Sequence, residues 1–348
     1  MNFSNQLIYW YLQMKRDLPW RKTKDPYLIW LSEIILQQTR VSQGISYYLA
    51  FSDAFPNVKA LAEAEEKKVL KMWQGLGYYS RARNLHYTAK KITEDFKEIF
   101  PRKYHELIQL KGIGDYTASA ISSICFNEPE AVVDGNVYRV LARYFKIRTP
   151  INSKQGIREF KNLAQSLLDK KQPGVYNQAI MDFGAIQCKP QNPNCEICPM
   201  HSGCMAFKEN IVKELPSKEK KIKIKKKYFN YLVFVSKNQK TIFQERKEKG
   251  IWQGLYQFPL IETNNEVHLN DLISHEEFQK MVPSNASIHL YNANSIIHKL
   301  SHQHLYTKFW IVETDNNSRV SVNWEEIELF PVPTLIANFL KKFISKLN

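Results

Sequence analysis

Two carboxylates in apolar surroundings and one knot of cysteines are the residues of this chain whose types and spacing could do chemistry. Cys188, Cys195, Cys198 and Cys204 are four of its five cysteines, and they fall within one short stretch, CKPQNPNCEICPMHSGC. A Cys-x2-Cys pair can put two thiolates on one metal centre, while the longer flanking spacings can wrap around a larger object. Structural zinc sites usually show two short-spaced pairs, and this stretch has one. The pattern therefore favours a cubane iron-sulfur cluster over a single zinc ion, although the ferredoxin spacings do not match it either. Pro190, Pro193 and Pro199 stiffen the loop between the cysteines. Cys125, alone in ISSICF, reads as a small core residue.

Glu33 lies in the middle of the apolar run PYLIWLSEIIL. An acid there is either ion-paired or capping, or buried with a raised pKa, and burial favours the protonated form that a general acid needs. Asp134 precedes Gly135 and Asn136 where AVVDGNVYRVLARYF turns from loop to helix. It can cap that helix, and it can also stabilise a developing cation, by about 4 kcal/mol at roughly 4 Å and an effective dielectric near 20. In LKGIGDYTASA, Gly112 and Gly114 permit a tight backbone path, and the amides opening the next helix can meet a phosphate. Taken alone, such a turn is equally a helix-helix connector.

These residues must be held by helices. Apolar residues recur at helical spacing in NQLIYWYLQM, PYLIWLSEIILQQT, VKALAEAEEKKVLKMW, SRARNLHYTAKKITEDF, YHELIQL, YTASAISSICF and VYRVLARYF, separated by short Gly or Pro breaks. A helical bundle over residues 1–215 follows. The lysine-rich run 216–227 reads as an exposed linker. Beyond it, YFNYLVFVS and LYTKFWIVET have the β-branched and aromatic character of half-buried strands, and PTLIANFLKKFISKLN reads as a terminal amphipathic helix. The expected fold is mainly α, with a smaller α+β domain over 228–348.

Charge points to the partner. The formal net charge is +15, and its excess lies in the helical part and the linker, whereas 228–348 is balanced. Such an excess suits a polyanion, since each phosphate contact releases counterions; its bland alternative is solubility. No uncharged run approaches the roughly 20 residues a membrane helix needs, and the N-terminus has no signal-peptide order of charges. A cytoplasmic protein is expected, nucleoid-associated if bacterial, without membrane partners and monomeric.

The cysteine spacing, placed after a helical bundle, resembles the 4Fe-4S loop of the endonuclease III superfamily of DNA glycosylases, and LKGIGDYTASA is similar to its helix-hairpin-helix. This resemblance implies a 4Fe-4S cluster on Cys188, Cys195, Cys198 and Cys204, and DNA contacts at Gly112 and Gly114. In strand-cutting relatives the second residue after the hairpin's last glycine is a Schiff-base lysine. Here it is Tyr116, and a phenol cannot form that imine, so a glycosylase without an efficient lyase step is implied.

WLSEIILQQT, with LPWR upstream and QGLGYYSRARNLH downstream, resembles the adenine-specific branch of the superfamily, which removes adenine mispaired with 8-oxoguanine. The likeness implies duplex DNA carrying adenine opposite 8-oxoguanine or guanine as substrate. It implies that Glu33 protonates adenine at N7, that Asp134 stabilises the oxocarbenium-like state, and that Tyr116 and Asn136 assist. Gln38, Thr39 and Tyr78 then fall at positions that intercalate near or contact the 8-oxoguanine, and Trp20, Arg21 and Gln178 in the adenine pocket.

The C-terminal part resembles that branch's oxidised-guanine recognition domain, related in fold to Nudix hydrolases, through KGIWQGLYQFP and HKLSHQHLY. Ser301 and His302 match its lesion-reading loop, while Leu300 replaces the usual aromatic wedge. The sequence has no Nudix box of clustered glutamates, so no nucleotide hydrolase is expected. Two other readings are open: a superfamily glycosylase/lyase of different base specificity, and a non-catalytic DNA-damage binding protein. Tyr116 argues against the first, and the pairing of Glu33 with Asp134 against the second.

Overall fold

The computed structural model describes residues 2–219, 224–314 and 322–347. The chain parts into two compact units, Met1–Glu63 with Asn84–Lys220, and Ala64–Arg83 with Lys221–Asn348. The first is the expected helical bundle. Ala64–Arg83, which carries QGLGYYSR, groups with the strand-rich unit, whereas the sequence pattern places the boundaries at 215 and 228. Helical periodicity runs unbroken through VKALAEAEEKKVLKMW, yet the chain forms two helices there, Val58–Glu63 and Glu66–Met72, and the break between them is where it passes from one unit to the other. Lys220–Lys223 of the basic run lie outside the described residues. Lys225–Lys227, read as linker, are instead the first residues of a strand.

Several helices of the helical unit begin where short polar side chains satisfy their first amides. Asp25 caps Pro26–Leu36 by accepting from the Tyr27 N–H at 2.8 Å, with Pro26 preset for the first turn. Asp134 caps Gly135–Tyr144. Phe3–Met14 and Pro173–Asp182 bury their apolar faces in one core, where Leu7, Val137, Leu141, Phe160 and Ala179 are fully buried. Truncating a side chain such as Leu141 to Ala costs roughly 2–5 kcal/mol at sites of this kind. That core fixes the Pro173–Asp182 helix, which carries Gln178, and the Gly135–Tyr144 helix, which Asp134 caps.

In the second unit, Lys225–Ser236 and Gln303–Thr314 pair in parallel, with Val233 opposite Ile311. Leu260–Thr263 adds antiparallel to the first, while Ser287–Leu290 and Ile296–Lys299 add antiparallel to the second. Leu232, Phe234, Trp310 and Val312 pack on Leu272 and Phe278 from two short helices. On the opposite face Phe309 stacks on Phe339 of the Thr334–Leu347 helix at 4.0 Å. The central strands are thus buried on both faces rather than half-buried, which explains their near-continuous apolar runs.

Candidate active site

The middle of Pro26–Leu36 buries Glu33. Its carboxyl is pushed up to about 7, first by burial and further by the negative charge of Asp134, against the pull of Tyr116 and Arg21. Tyr116, in the first turn of Asp115–Phe126, donates its hydroxyl to Glu33 when that group is ionised, and the same oxygen lies 3.3 Å from Met181 Sδ. Burial, then the charges of Glu33 and Asp134, hold the Tyr116 phenol well above its ordinary value, so it stays protonated.

Asp134 is likewise held above its ordinary value by burial, but three donors limit the rise: the Asn136 and Val137 amides at 2.8 Å each, and Asn136 Nδ2 at 2.8 Å. The amino end of the Gly135–Tyr144 helix adds its favourable dipole. Two carboxyls that sense each other are therefore held in different environments, Glu33 in apolar packing and Asp134 in a cradle of donors, an arrangement that separates an acid from an anion.

Arg139, absent from the sequence-derived set, fastens this cradle to the cysteine loop. Its guanidinium donates to Asn136 Oδ1 at 2.8 Å, Gly184 O at 2.6 Å, Gly135 O at 3.1 Å and Cys188 O at 2.7 Å. One turn on, Arg143 donates to Lys189 O at 2.7 Å, Pro190 O at 3.1 Å and Leu215 O at 3.1 Å, with Cys188 Sγ at 3.4 Å. The signal for both was present in VYRVLARYF as two arginines four apart on an apolar helix. Gly184 has no room for a side chain, since a Cβ there would sit 2.6 Å from Asn136 Cβ.

The four cysteine side chains line one cavity with Val140, Phe183, Met200 and Phe207, and with Arg143 in its wall. Burial and then their neighbours push Cys195, Cys198 and Cys204 upward, Cys198 to about 11. Among the described residues, no three His, Cys, Asp or Glu stand close enough to hold a single ion. Four thiols lining one cavity are the donor set that a multi-iron cluster takes.

Trp20 and Arg21 lie on the turn Pro19–Arg21. Trp20 is buried edge-on to Tyr48 at 5.2 Å, and Arg21 pairs with Asp182. Gln178, half-buried on Pro173–Asp182, accepts from the Tyr11 hydroxyl at 2.7 Å. Tyr11, Arg16, Met181 and Asp182 were not anticipated, and nothing in their spacing sets them apart from ordinary helix residues. Gln38 and Thr39 follow the Pro26–Leu36 helix, Gln38 exposed and with φ at +56°. Gly112 has φ at +83°, and a Cβ there would lie 2.7 Å from Asn84 Cβ, so this hairpin position requires glycine. Gly114 caps the next helix with no side-chain bond to its amides.

Within the second unit, exposed Tyr78 takes the left-handed conformation, φ +46°, and its hydroxyl hydrogen-bonds the Ser301 hydroxyl. Left-handed backbone at a bulky residue costs energy and marks a position fixed by its surroundings. Tyr78, Trp252, Leu300, Ser301 and His302 line a cleft of about 460 Å³, within the range of small-ligand sites.

The HhH-GPD superfamily of base excision DNA repair proteins matches residues 31–166, the iron-sulfur binding domain of endonuclease III matches 188–204, and a NUDIX domain matches 230–342. An adenine DNA glycosylase of Buchnera aphidicola subsp. Baizongia pistaciae is 37% identical over 99% of this chain and 97% of its own length. The human adenine DNA glycosylase is 43% identical over 59% of this chain and 39% of its own. A thermostable thymine-DNA glycosylase of known structure is 29% identical with a TM-score of 0.56, over 60% of this chain and 95% of that one. Endonuclease III bound to DNA gives a TM-score of 0.52 at 19% identity over 60% and 94%, which attests the fold alone.

Proposed function

The chain belongs to the adenine DNA glycosylases of base excision repair, and from that premise we propose that it removes adenine paired with 8-oxoguanine or guanine from duplex DNA, without cutting the strand. The observation that carries this reading is the pairing of Glu33, raised to about 7, with Asp134 in its cradle of donors. An adenine leaves deoxyribose readily only when its departing electrons are taken up, and protonation at N7 does that. Glu33 holds a proton near neutral pH and gives it to N7. Tyr116 keeps the carboxyl oriented, and its hydroxyl stabilises the anion left behind.

As the glycosidic bond lengthens, positive charge grows on the sugar. Asp134 meets that charge, at a worth of about 4 kcal/mol for roughly 4 Å and an effective dielectric near 20. Asn136 and Arg139 hold the carboxylate in place beforehand, so little reorganisation is needed during the reaction. Water completes the hydrolysis. Tyr116 stands where an imine-forming lysine would be needed to cut the strand, so the product is an intact strand with an abasic site.

The enzyme carries a 4Fe-4S cluster, and we assign its ligands to Cys188, Cys195, Cys198 and Cys204. Iron-thiolate bonds would cross-link the loop there, and Arg139 and Arg143 tie that loop to the helix that Asp134 caps. We further assign the division of labour along the chain: residues 1–215 catalyse, the basic run 216–227 connects and adds charge, and 228–348 reads the opposite base. Gly112 and Gly114 approach the phosphate backbone. The adenine must be flipped out before Glu33 can reach it, so the gap needs filling. Gln38, Thr39 and Tyr78 fill it from the side of the opposite base, with Ser301 and His302 beside that base; Trp20, Arg21 and Gln178 receive the adenine. One monomer suffices for all of these roles.

The test is single-turnover adenine release from duplexes with adenine opposite 8-oxoguanine, guanine or cytosine, scored with and without alkali. Release opposite the first two, with strand breaks only after alkali, supports the reading. Breaks without alkali, or equal release opposite cytosine, would overturn it.

A further inference from the structure

A buried carboxylate that the chemistry above does not use lies at the end of the Pro173–Asp182 helix. Asp182 is fully buried and takes Arg21 through both guanidinium nitrogens, with Nη2 at 2.7 Å from Oδ1. Arg16 donates to the same carboxylate through Nε at 2.9 Å and through its backbone N–H at 3.3 Å. Burial pushes Asp182 upward, but the two guanidiniums outweigh it and hold the carboxyl below its ordinary value. It is therefore an anion whose removal would leave two arginines without their counter-charge.

The arrangement continues beyond the ion pairs. Arg21 Nη1 donates to the Tyr11 hydroxyl oxygen at 3.4 Å, and its guanidinium stands 5.4 Å from the centre of the Tyr11 ring. With a donor already on its oxygen, Tyr11 turns its own hydrogen to Gln178 Oε1 at 2.7 Å. A side-chain amide can ordinarily rotate to exchange its donor and acceptor ends. Here the oxygen end is claimed, so a ligand in the pocket meets an N–H donor at Nε2.

We propose that Asp182, Arg21 and Tyr11 form a buried relay that fixes the donor-acceptor polarity of Gln178, and that this polarity selects adenine over hypoxanthine. The proposal rests on the assignment of Gln178 to the adenine pocket. Adenine presents N1 as an acceptor beside a 6-amino donor, and hypoxanthine presents N1–H as a donor beside the O6 acceptor. An amide locked with Nε2 toward N1 donates to adenine there and meets a second donor in hypoxanthine. With a freely turning amide, each base could find its own match, and the two would be told apart less sharply. Asp182 and Tyr11 are thus positioning residues, acting on the base only through Arg21 and Gln178.

The test is Tyr11→Phe, which removes one hydroxyl and leaves the ring beneath Arg21. Single-turnover release of adenine and of hypoxanthine is measured opposite the same partner base, in cluster-loaded full-length enzyme. Wild type should release adenine faster, and Tyr11→Phe should reduce the adenine-to-hypoxanthine ratio by about tenfold, the effect of one hydrogen bond placed correctly or wrongly. Asp182→Asn should move the ratio the same way, and the double variant should go little further than Tyr11→Phe, because both act on one amide. Should Asp182→Asn fail to fold, Tyr11→Phe alone decides. Equal slowing of both bases would make Tyr11 a structural support and overturn the relay. A wild type that releases no adenine from any mispair would overturn the functional reading itself, a different result from an unaltered ratio.

Discussion

Glu33→Gln should do two opposite things: stop adenine excision and make the helical unit more stable at alkaline pH. A carboxyl displaced from 4.5 to about 7 on folding binds its proton more tightly in the folded state. Below pH 4.5 both states are protonated and folding pays nothing. As pH rises from 4.5 toward 7 the unfolded chain releases its proton first, so stability falls by ~1.4 kcal/mol per pH unit, and above 7 the loss is complete. Across that interval it comes to about 3 kcal/mol. Glutamine has nearly the same shape and can still accept from Tyr116, but carries no charge at any pH. The variant should thus exceed wild type by about 3 kcal/mol at pH 8.5 and by under ~1 kcal/mol at pH 5. With a slope of ~2 kcal/mol per molar urea, the alkaline gain moves the unfolding midpoint up by roughly 1.5 M. Urea titrations of both proteins, followed by the helical circular dichroism signal, measure it. Equal midpoint shifts at the two pH values, or a destabilised variant at pH 8.5, would refute the claim that Glu33 is a buried, proton-holding acid.

Asp134→Asn keeps a good helix cap and so should change stability by less than ~1 kcal/mol, while slowing excision about a thousandfold, the rate equivalent of ~4 kcal/mol; thermal melts and single-turnover rates separate the two. Arg139→Met removes the donors to Asn136, Gly135, Gly184 and Cys188, so it should slow excision at least tenfold and hasten iron loss to a chelator, with Arg139→Lys intermediate. Gly184→Ala drives a methyl into Asn136 and should cost about 1–3 kcal/mol in a denaturant titration, with slower excision at saturating enzyme. Replacing Lys220, Lys221 and Lys223 by serine should weaken DNA binding equally for all sequences and lower the salt slope by up to about 3; an unchanged slope would make the run a tether alone.

Much of the site could be seen in the sequence because its residues are out of place in their surroundings. Glu33 is an acid in an apolar helix, and Asp134 sits before a glycine at a helix start; local pattern marks each as a candidate, and only the family resemblance gives it a role. The cysteine loop owes its legibility to spacing. Arg139 and Arg143 leave only a weak signal, two arginines four apart on an apolar helix, because arginines on a helix usually reach water and only packing against the cysteine loop turns them inward. Asp182 and Tyr11 were hidden for a related reason: their partners Arg21 and Gln178 are distant in sequence, and no period links them. In the fold, helical spacing located the helices but not the break at Ala64–Glu65, where a short irregular step interrupts an unbroken apolar pattern. The strands declared themselves as apolar runs, although burial on both faces follows only from the helices that cover the sheet.

In the proposed mechanism Glu33 as acid and Asp134 as anion act together on a flipped adenine. Single-turnover adenine release opposite 8-oxoguanine by wild type, Glu33→Gln and Asp134→Asn, each with its cluster loaded and its DNA affinity measured, tests it most directly. The account predicts rapid release by wild type, loss of release in both variants, and tight binding in all three. Undiminished release by either variant, or tight binding without release by wild type, would contradict it.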